Sequence, residues 1–72
     1  MRSSDIVRAK MKDAGITQKE LADKLGYKTQ SCIGDALARK NGVRIDVFVK
    51  MMNALGYEVV VRRGKDEEVV TE

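Results

Sequence analysis

Apolar side chains recur every three or four positions in four separate stretches of this 72-residue chain. That spacing places them along one face of an α-helix and leaves polar residues on the other face. The pattern therefore predicts four helices, which span about residues 4–14, 18–25, 29–39 and 45–55. We expect a mostly α fold in which each helix turns its apolar face toward a shared core.

Residues that start and end helices support these boundaries. Thr17 is followed three positions later by Glu20, a capping-box pattern in which each side chain accepts a hydrogen bond from the other residue's backbone N–H. Ser4 and Thr29 are the expected N-caps of the first and third helices. Gly26 follows the second helix, at the position where a residue that tolerates a positive φ is most often needed.

The periodicity changes near the C-terminus. Residues 57–63 are rich in β-branched valines and predict a strand, and residues 68–71 predict a second, weaker strand after a turn at 64–66. An exposed valine strand has an edge that invites pairing, so two arrangements are open. Residues 57–63 pair with a second chain, directly or by extending a hairpin into an intermolecular sheet, or an intramolecular hairpin covers the core. The dimer contacts of the first arrangement would be Tyr57, Val59 and Val61.

Charge is distributed unevenly along the chain. The formal net charge is +3, but residues 1–65 hold all fourteen Lys and Arg against seven acids, which leaves +7. The last seven residues hold the other four acids. A basic body with an acidic tail suits a polyanionic partner, although a merely solvated surface explains the same charges. Aromatic residues make up only 4% of the chain, which argues against a base-stacking platform for single-stranded nucleic acid.

The residue types that most catalytic and metal sites require are scarce. The chain has no histidine and a single cysteine, so we expect no transition-metal site, no cofactor and no internal disulfide. We recognise no phosphate-binding loop and no nucleophile–base pair, which argues against an enzyme. Cys32 is interpreted as a small filler within the third helix, with a redox switch as the alternative. One free cysteine and no apolar run of membrane-spanning length favour a cytoplasmic protein.

Residues 17–37 are the most informative stretch, because they predict two short helices joined by a tight glycine turn. On the latter helix of this pair, the third of the chain, Ile33 and Leu37 face inward, while short hydrogen-bonding side chains face outward. A DNA-reading helix-turn-helix requires such a helix pair. The residues expected to contact base edges are Thr29, Gln30, Ser31 and Asp35. The residues expected to contact phosphates are Gln18, Lys28, Arg39, Lys40 and Arg44.

Gly34 interrupts the third predicted helix, where a glycine costs about 1 kcal/mol of helix stability relative to alanine. Two explanations are open. The glycine reflects an imperfect or tightly packed helix, or it allows the helix to approach the wall of a DNA groove closely.

The stretch resembles the phage repressor/Cro-type (XRE-like) helix-turn-helix family of DNA-binding proteins. The resemblance is carried by residues 15–26, by residues 29–31 with Ile33, and by residues 52–56. It implies a lambda-repressor-like bundle of four or five helices, a recognition helix (here 29–39) in the major groove, and dimeric binding to inverted repeats. The C-terminal strand lies outside this pattern and is similar to the strand through which Cro-like proteins dimerise.

Two positions depart from the family pattern. Gly26 and Ile33 are seven residues apart where six are common, so we expect a turn one residue longer. Leu37 stands where many relatives carry a glutamate. The buried Arg–Glu pair of those relatives is therefore not expected here, although Lys10 lies near the basic position.

The residues and the resemblance together predict a sequence-specific, double-stranded-DNA-binding transcriptional regulator. We expect a repressor of prokaryotic or mobile-element type that acts as a homodimer, with residues 1–56 as the DNA-binding domain. Residues 57–72 would form the C-terminal strand or hairpin and an acidic tail. The alternative is an antitoxin-like or other protein-interaction module that binds its partner with this strand and tail.

Overall fold

The computed structural model describes residues 2–71, in which four helices are followed by two strands. In chain order the elements are α1 (Ser3–Ala14), α2 (Gln18–Leu25), α3 (Ser31–Leu37), α4 (Ile45–Ala54), β1 (Val59–Arg63) and β2 (Asp66–Val70). This architecture confirms the predicted mostly helical bundle with a short C-terminal hairpin. Glu72, which belongs to the predicted acidic tail, lies outside the described residues.

The apolar faces of all four helices meet in one core. Leu21 of α2, Ile33 of α3 and Met51 of α4 are fully buried, and α2 packs against both α3 and α4. Burying a side chain of this size is worth about 1.5–3 kcal/mol relative to leaving it in water. The buried apolar residues are Val7, Met11, Leu21, Ala22, Ile33, Leu37, Val43, Val49, Met51, Met52 and Leu55. Because α2 lies between its two neighbours, this core holds α3 in a set position.

The start of α2 forms as the capping-box pattern predicts. The backbone N–H of Glu20 donates to Thr17 Oγ1 at 3.2 Å, and the N–H of Thr17 donates to Glu20 Oε1 at 3.2 Å. Gly26 ends the helix in the left-handed region at φ 77°, and its N–H donates to the carbonyl of Asp23. Nearby residues thus satisfy the Glu20 N–H at the start of α2 and the Asp23 carbonyl at its end, as the local sequence indicates.

The start of α1 differs from the prediction. The helix begins at Ser3, and Ser4, the expected N-cap, is a buried helical residue that is only 4% exposed. The backbone N–H of Arg2 donates to the Asp5 carboxylate at 3.3 Å. The N-cap of α1 is therefore Arg2, two residues before the predicted Ser4.

Ser3 ties α1 to the loop between α3 and α4. Its hydroxyl oxygen accepts a hydrogen bond from the backbone N–H of Val43 at 2.7 Å. The loop lies so close that a Cβ atom on Gly42 would come within 2.5 Å of the same oxygen. This long-range bond satisfies a half-buried N–H that would otherwise lack a partner.

Helix α3 is shorter than the predicted 29–39 at both ends. The Thr29 hydroxyl does not cap the helix, because it pairs with the Ser31 hydroxyl at 2.7 Å. The carbonyl of Gln30 accepts instead from the N–H groups of Ile33 and Gly34. Ala38 is the C-cap, and Arg39 already belongs to a tight turn in which its carbonyl accepts from Gly42.

The two strands form an antiparallel hairpin within one chain. The register pairs Val59 with Val70 at the open end and Arg63 with Asp66 at the closed end. Two residues, Gly64 and Lys65, make the turn, one fewer than predicted. Gly64 has φ 61°, whereas no non-glycine residue in the described range, Lys65 included, has a positive φ. A positive φ at the first turn residue alone fits a type II′ turn.

The hairpin contacts the bundle at its base. Tyr57 and Val59 pack against the core, and the N–H of Tyr57 donates to the carbonyl of Met52 at 2.9 Å. Beyond that point the valines are uncovered: Val60 is 41%, Val61 63% and Val69 51% exposed. One predicted arrangement was an intramolecular hairpin that covers the core. The hairpin is intramolecular, but it projects from the core and does not cover it.

We predict that Ser3→Ala lowers the free energy of unfolding by about 1–3 kcal/mol, because the N–H of Val43 loses its acceptor in a half-buried site. Alanine has the higher helix propensity, so propensity alone would shift stability the other way. Urea unfolding followed by circular dichroism measures the change. Ser31→Ala, at an exposed position, is the control and should stay within about 0.5 kcal/mol. Equal stability of the two variants would contradict the role given to Ser3.

Candidate nucleic-acid interface

Helices α2 and α3 pack through small and apolar side chains. Leu21, Ala22, Ile33 and Leu37 lie between them and the rest of the core, and Ala22 is only 2% exposed. A larger side chain in place of Ala22 would push the helices apart, as its size in the sequence suggested. The pair therefore presents its outer face in a defined geometry.

The outer face of α3 carries the four residues predicted to contact bases. Thr29, Gln30, Ser31 and Asp35 are all exposed. Thr29 and Gln30 precede the helix, whereas Ser31 is its first residue and Asp35 lies one turn later. The hydrogen bond between the Thr29 and Ser31 hydroxyls holds these two side chains together. The structure thus gathers the predicted contacts over residues 29–35, from just before α3 to its second turn.

A shallow pocket of about 250 Å³ lies between α2 and the segment that leads into α3. Its lining includes three predicted contacts, Lys28, Thr29 and Gln30. It also includes Lys19 and Asp23, two exposed α2 residues that are not among the predicted contacts. The signal for Lys19 in the sequence is its position: it is a basic residue directly after Gln18, a predicted phosphate contact, at the start of α2.

Gln18 is the first residue of α2 and lies beside α3. Its Oε1 atom is 3.5 Å from the point where a Cβ on Gly34 would stand. The amide of Gln18 is therefore next to the backbone of α3, close to the predicted base contacts. This juxtaposition joins the start of one helix to the exposed side of the next.

The predicted phosphate-binding cations flank α3. Lys28 lies before the helix, whereas Arg39, Lys40 and Arg44 follow it in the connection to α4, and all four are exposed. Arg44 Nε is 3.5 Å from Asp46 Oδ1, but its side chain remains 68% exposed. An exposed ion pair of this kind is worth little, so the guanidinium stays available to another anion.

Cys32 is not a filler, and that interpretation is wrong. Its side chain is exposed on α3, with Sγ 3.9 Å from Thr29 Oγ1. The reason is the register of the helix: Ile33 and Leu37 take the buried positions, which leaves Cys32 on the outer face beside Ser31.

The three predicted dimer contacts lie in the hairpin and its approach, in different surroundings. Tyr57 and Val59 are half-buried against their own core, whereas Val61 is 63% exposed. Lys10 of α1 places its ammonium 5.2 Å from the centre of the Tyr57 ring and 3.9 Å from Asp13 Oδ2. A cation at that distance attracts the ring face, so Lys10 helps to fix the base of the hairpin.

Comparison with known proteins identifies the type of helix pair. A family model described as Helix-turn-helix matches residues 7–61, most of the chain, including α2 and α3. The chain belongs to the helix-turn-helix family. The match is of the XRE type with Cro/C1-like members, which confirms the resemblance seen in the sequence.

The helix-turn-helix assignment makes this chain a DNA-binding regulator of a generally non-enzymatic family. No match was found among curated proteins or among solved structures. Within residues 2–71 no helix is both long enough and apolar enough to cross a membrane. The same residues contain no group of acidic side chains and cysteine placed to hold a metal ion.

The structure offers a way to decide between the two explanations for Gly34. No atom lies closer than ordinary van der Waals contact to an added Cβ, so tight packing inside the chain does not require a glycine. We predict that Gly34→Ala raises the free energy of unfolding by about 0.5–1 kcal/mol yet weakens binding to a DNA site. Urea unfolding and DNA titration measure the two effects. A stabilised variant with unchanged affinity would show that close approach to DNA does not explain the glycine.

Proposed function

We propose that the chain is a sequence-specific repressor of prokaryotic or mobile-element type, which binds an inverted repeat in double-stranded DNA as a homodimer. One observation supports this best: α3 is held by the core on one side and exposes a cluster of hydrogen-bonding side chains on the other. Occupying an operator is sufficient for repression. The protein would act at the nucleoid in the cytoplasm, where such DNA lies.

Base readout is assigned to the start of α3. Gln30 can pair bidentately with adenine, and the Asp35 carboxylate can accept from the amino group of cytosine. Thr29 and Ser31 add hydroxyls that donate or accept. All four side chains are exposed and lie within seven consecutive residues, 29–35, which suits insertion of the start of α3 into a major groove.

Phosphate binding is assigned to groups on both sides of α3. Gln18 lies at the N-terminus of α2, where free backbone N–H groups and the helix dipole attract an anion. Lys28 precedes α3, and Arg39, Lys40 and Arg44 follow it. Contacts to the strands on either side of the groove would set the register of α3 and supply the salt-dependent part of the affinity.

Dimerisation is assigned to the C-terminal part of the chain. Residues 1–56 would read one half-site, and residues 57–72, with Tyr57, Val59 and Val61, would join two copies. Two-fold symmetry then requires half-sites about one helical turn, roughly 34 Å, apart. Exposed valines on a projecting hairpin support an interface there.

A second candidate function rests on the same hairpin. Strand β2 carries Asp66, Glu67 and Glu68 in succession, next to exposed Val69. An acidic, partly apolar surface of this kind would also suit a basic protein partner, as in an antitoxin-like module. Copurification of such a partner with the hairpin intact, and its loss after hairpin substitution, would favour this alternative. The two functions are compatible.

We predict that Gln30→Ala weakens binding to the selected operator by about 1–3 kcal/mol and leaves binding to random DNA nearly unchanged, because only base readout is lost. The operator is first obtained by selecting bound DNA from a random pool and measuring the protein:DNA stoichiometry. Fluorescence anisotropy then gives both affinities. Equal losses on operator and random DNA would remove Gln30 from base readout.

Lys28→Gln supplies the contrasting prediction. We expect it to weaken binding to operator and random DNA by similar factors and to reduce the slope of log affinity against log salt by about 1, because one phosphate contact is lost. Titrations at several salt concentrations measure the slope. A loss confined to the operator would instead assign Lys28 to base readout.

A further inference from the structure

The tight turn of the hairpin determines which backbone groups of β1 face β2. A two-residue turn is closed by a hydrogen-bonded pair, here Arg63 with Asp66. Hydrogen-bonded and non-bonded pairs alternate along an antiparallel ladder. Val61 and Val59 are therefore the next residues of β1 that direct their N–H and C=O groups toward β2.

The intervening residues of β1 direct the same groups outward. Val60 and Arg62 present N–H and C=O groups at the free edge of the strand, and Glu58 continues this series at the strand's start. No backbone hydrogen bond from another element reaches Val60 or Arg62 within residues 2–71. The free edge of β1 is thus a short template for one more antiparallel strand.

The side chains on the hairpin leave apolar surface uncovered on both faces. Val60 and Val69 are a cross-strand pair and so share one face, where they are 41% and 51% exposed. Val61 lies on the opposite face and is 63% exposed. Exposed apolar area on both faces, beside a free edge, indicates a partner that continues the sheet.

We propose that β1 pairs antiparallel with β1 of a second copy of this chain, with Val60 directly opposite Val60 of that copy. The proposal rests on the homodimer of the proposed function and specifies its register. The product is a four-stranded sheet in the order β2, β1, β1 and β2, with the two-fold axis passing between the two Val60 residues.

The hydrogen-bonding pattern leaves few registers to choose from. Outward-facing residues must meet outward-facing residues, so the axis must lie at a residue and not between two residues. An axis at Arg62 would set two arginines against each other, which is destabilising. An axis at Val59 or Val61 would leave Arg62 without an opposite charge across the new interface. Only an axis at Val60 places Glu58 opposite Arg62 of the second copy, and it does so twice.

The Val60 register also covers the exposed valines. On one face Val69 and Val60 continue directly into Val60 and Val69 of the second copy, a row of four valines across the sheet. On the other face Val61 lies opposite Val59 of the second copy, next to that copy's core. Apolar area on both faces of the hairpin is therefore removed from water.

Charged residues lie on both sides of this valine row. Arg62 Nη2 already lies 2.9 Å from Glu67 Oε1 in the same chain, yet its side chain is 67% exposed. A guanidinium has five N–H donors, so it can bind Glu67 on one side and Glu58 of the second copy on the other. A Glu–Arg–Glu series would then run along each side of the valine row.

The composition of β2 favours β1 as the pairing edge. Strand β2 contains three acids and no base, so no pairing of β2 with its own copy forms an opposite-charge pair. Pairing β1 with β2 of another chain would leave free edges and extend without limit. The β1 pairing closes at two chains and leaves the acidic β2 strands at the outer edges, where charge discourages further addition.

Disulfide cross-linking tests the register. In a Cys32→Ser background, Val60→Cys places two thiols at a hydrogen-bonded pair, where Cα atoms are about 5.5 Å apart and within disulfide range. Val61→Cys is the matched control, because its two copies would be displaced by two residues and too far apart. Val61 is the more exposed side chain, so random collision would favour it. We expect rapid covalent dimer from Val60→Cys and little from Val61→Cys under mild oxidation; the reverse would overturn the register.

A charge exchange tests the same register without cysteine. In a Glu67→Gln background, which removes the in-chain partner of Arg62, we expect Glu58→Arg alone and Arg62→Glu alone to weaken dimerisation about tenfold or more. The two changes together should restore it to within about threefold. Analytical ultracentrifugation measures the dissociation constants. Additive losses in the double variant, or species larger than dimers in the unchanged protein, would overturn the proposal.

DNA selection separates failure of this register from failure of the proposed function. If Val61→Cys cross-links while two copies still occupy an inverted repeat, the register is wrong and the repressor assignment stands. If a chain that remains monomeric selects a DNA site, the strand pairing is wrong and DNA reading stands. If Val60→Cys cross-links but no DNA sequence is selected, the register stands and the proposed function fails.

Discussion

The packing of α2 against α3 around Leu21, Ala22 and Ile33 is the contact on which the rest of this molecule depends. Leu21 and Ile33 are fully buried, and Ala22 is small enough for the helices to approach closely. In a chain this short, most helical stability comes from tertiary packing, since helices of seven and eight residues are marginal alone. The orientation of the exposed side of α3 therefore depends on the packing of its buried side.

Longer-range contacts complete that arrangement. The hydrogen bond from the Val43 N–H to Ser3 joins the loop after α3 to the start of α1, so the cations that follow α3 sit on an anchored segment. At the other end, the Tyr57 N–H bonds to Met52 while Lys10 lies over the Tyr57 ring. The hairpin thus leaves the bundle from a fixed point. A contact between two hairpins would set the distance between two copies of α3.

Features that depend on neighbouring residues were predictable from the sequence. The Thr17–Glu20 capping box, the end of α2 at Gly26 and the helical spacing of the core all follow from local rules. The bounds of α3 were not predictable in this way. The Thr29 hydroxyl could pair with the backbone or with Ser31, and local rules do not decide between these two partners. Cys32 was misassigned because a small thiol is compatible with either face, and only the register of Ile33 and Leu37 places it outside. The sequence pattern also indicated strands, but it left open whether the hairpin would cover the core.

We propose that the start of α3, together with Gln18, reads DNA. Backbone amide chemical shifts, recorded by NMR while the selected operator is titrated into the protein, test this proposal most directly. We expect the largest changes at Gln18 and at residues 28–35, with smaller changes in the buried face of α4. Binding that leaves those amides unmoved and shifts the hairpin alone would contradict it.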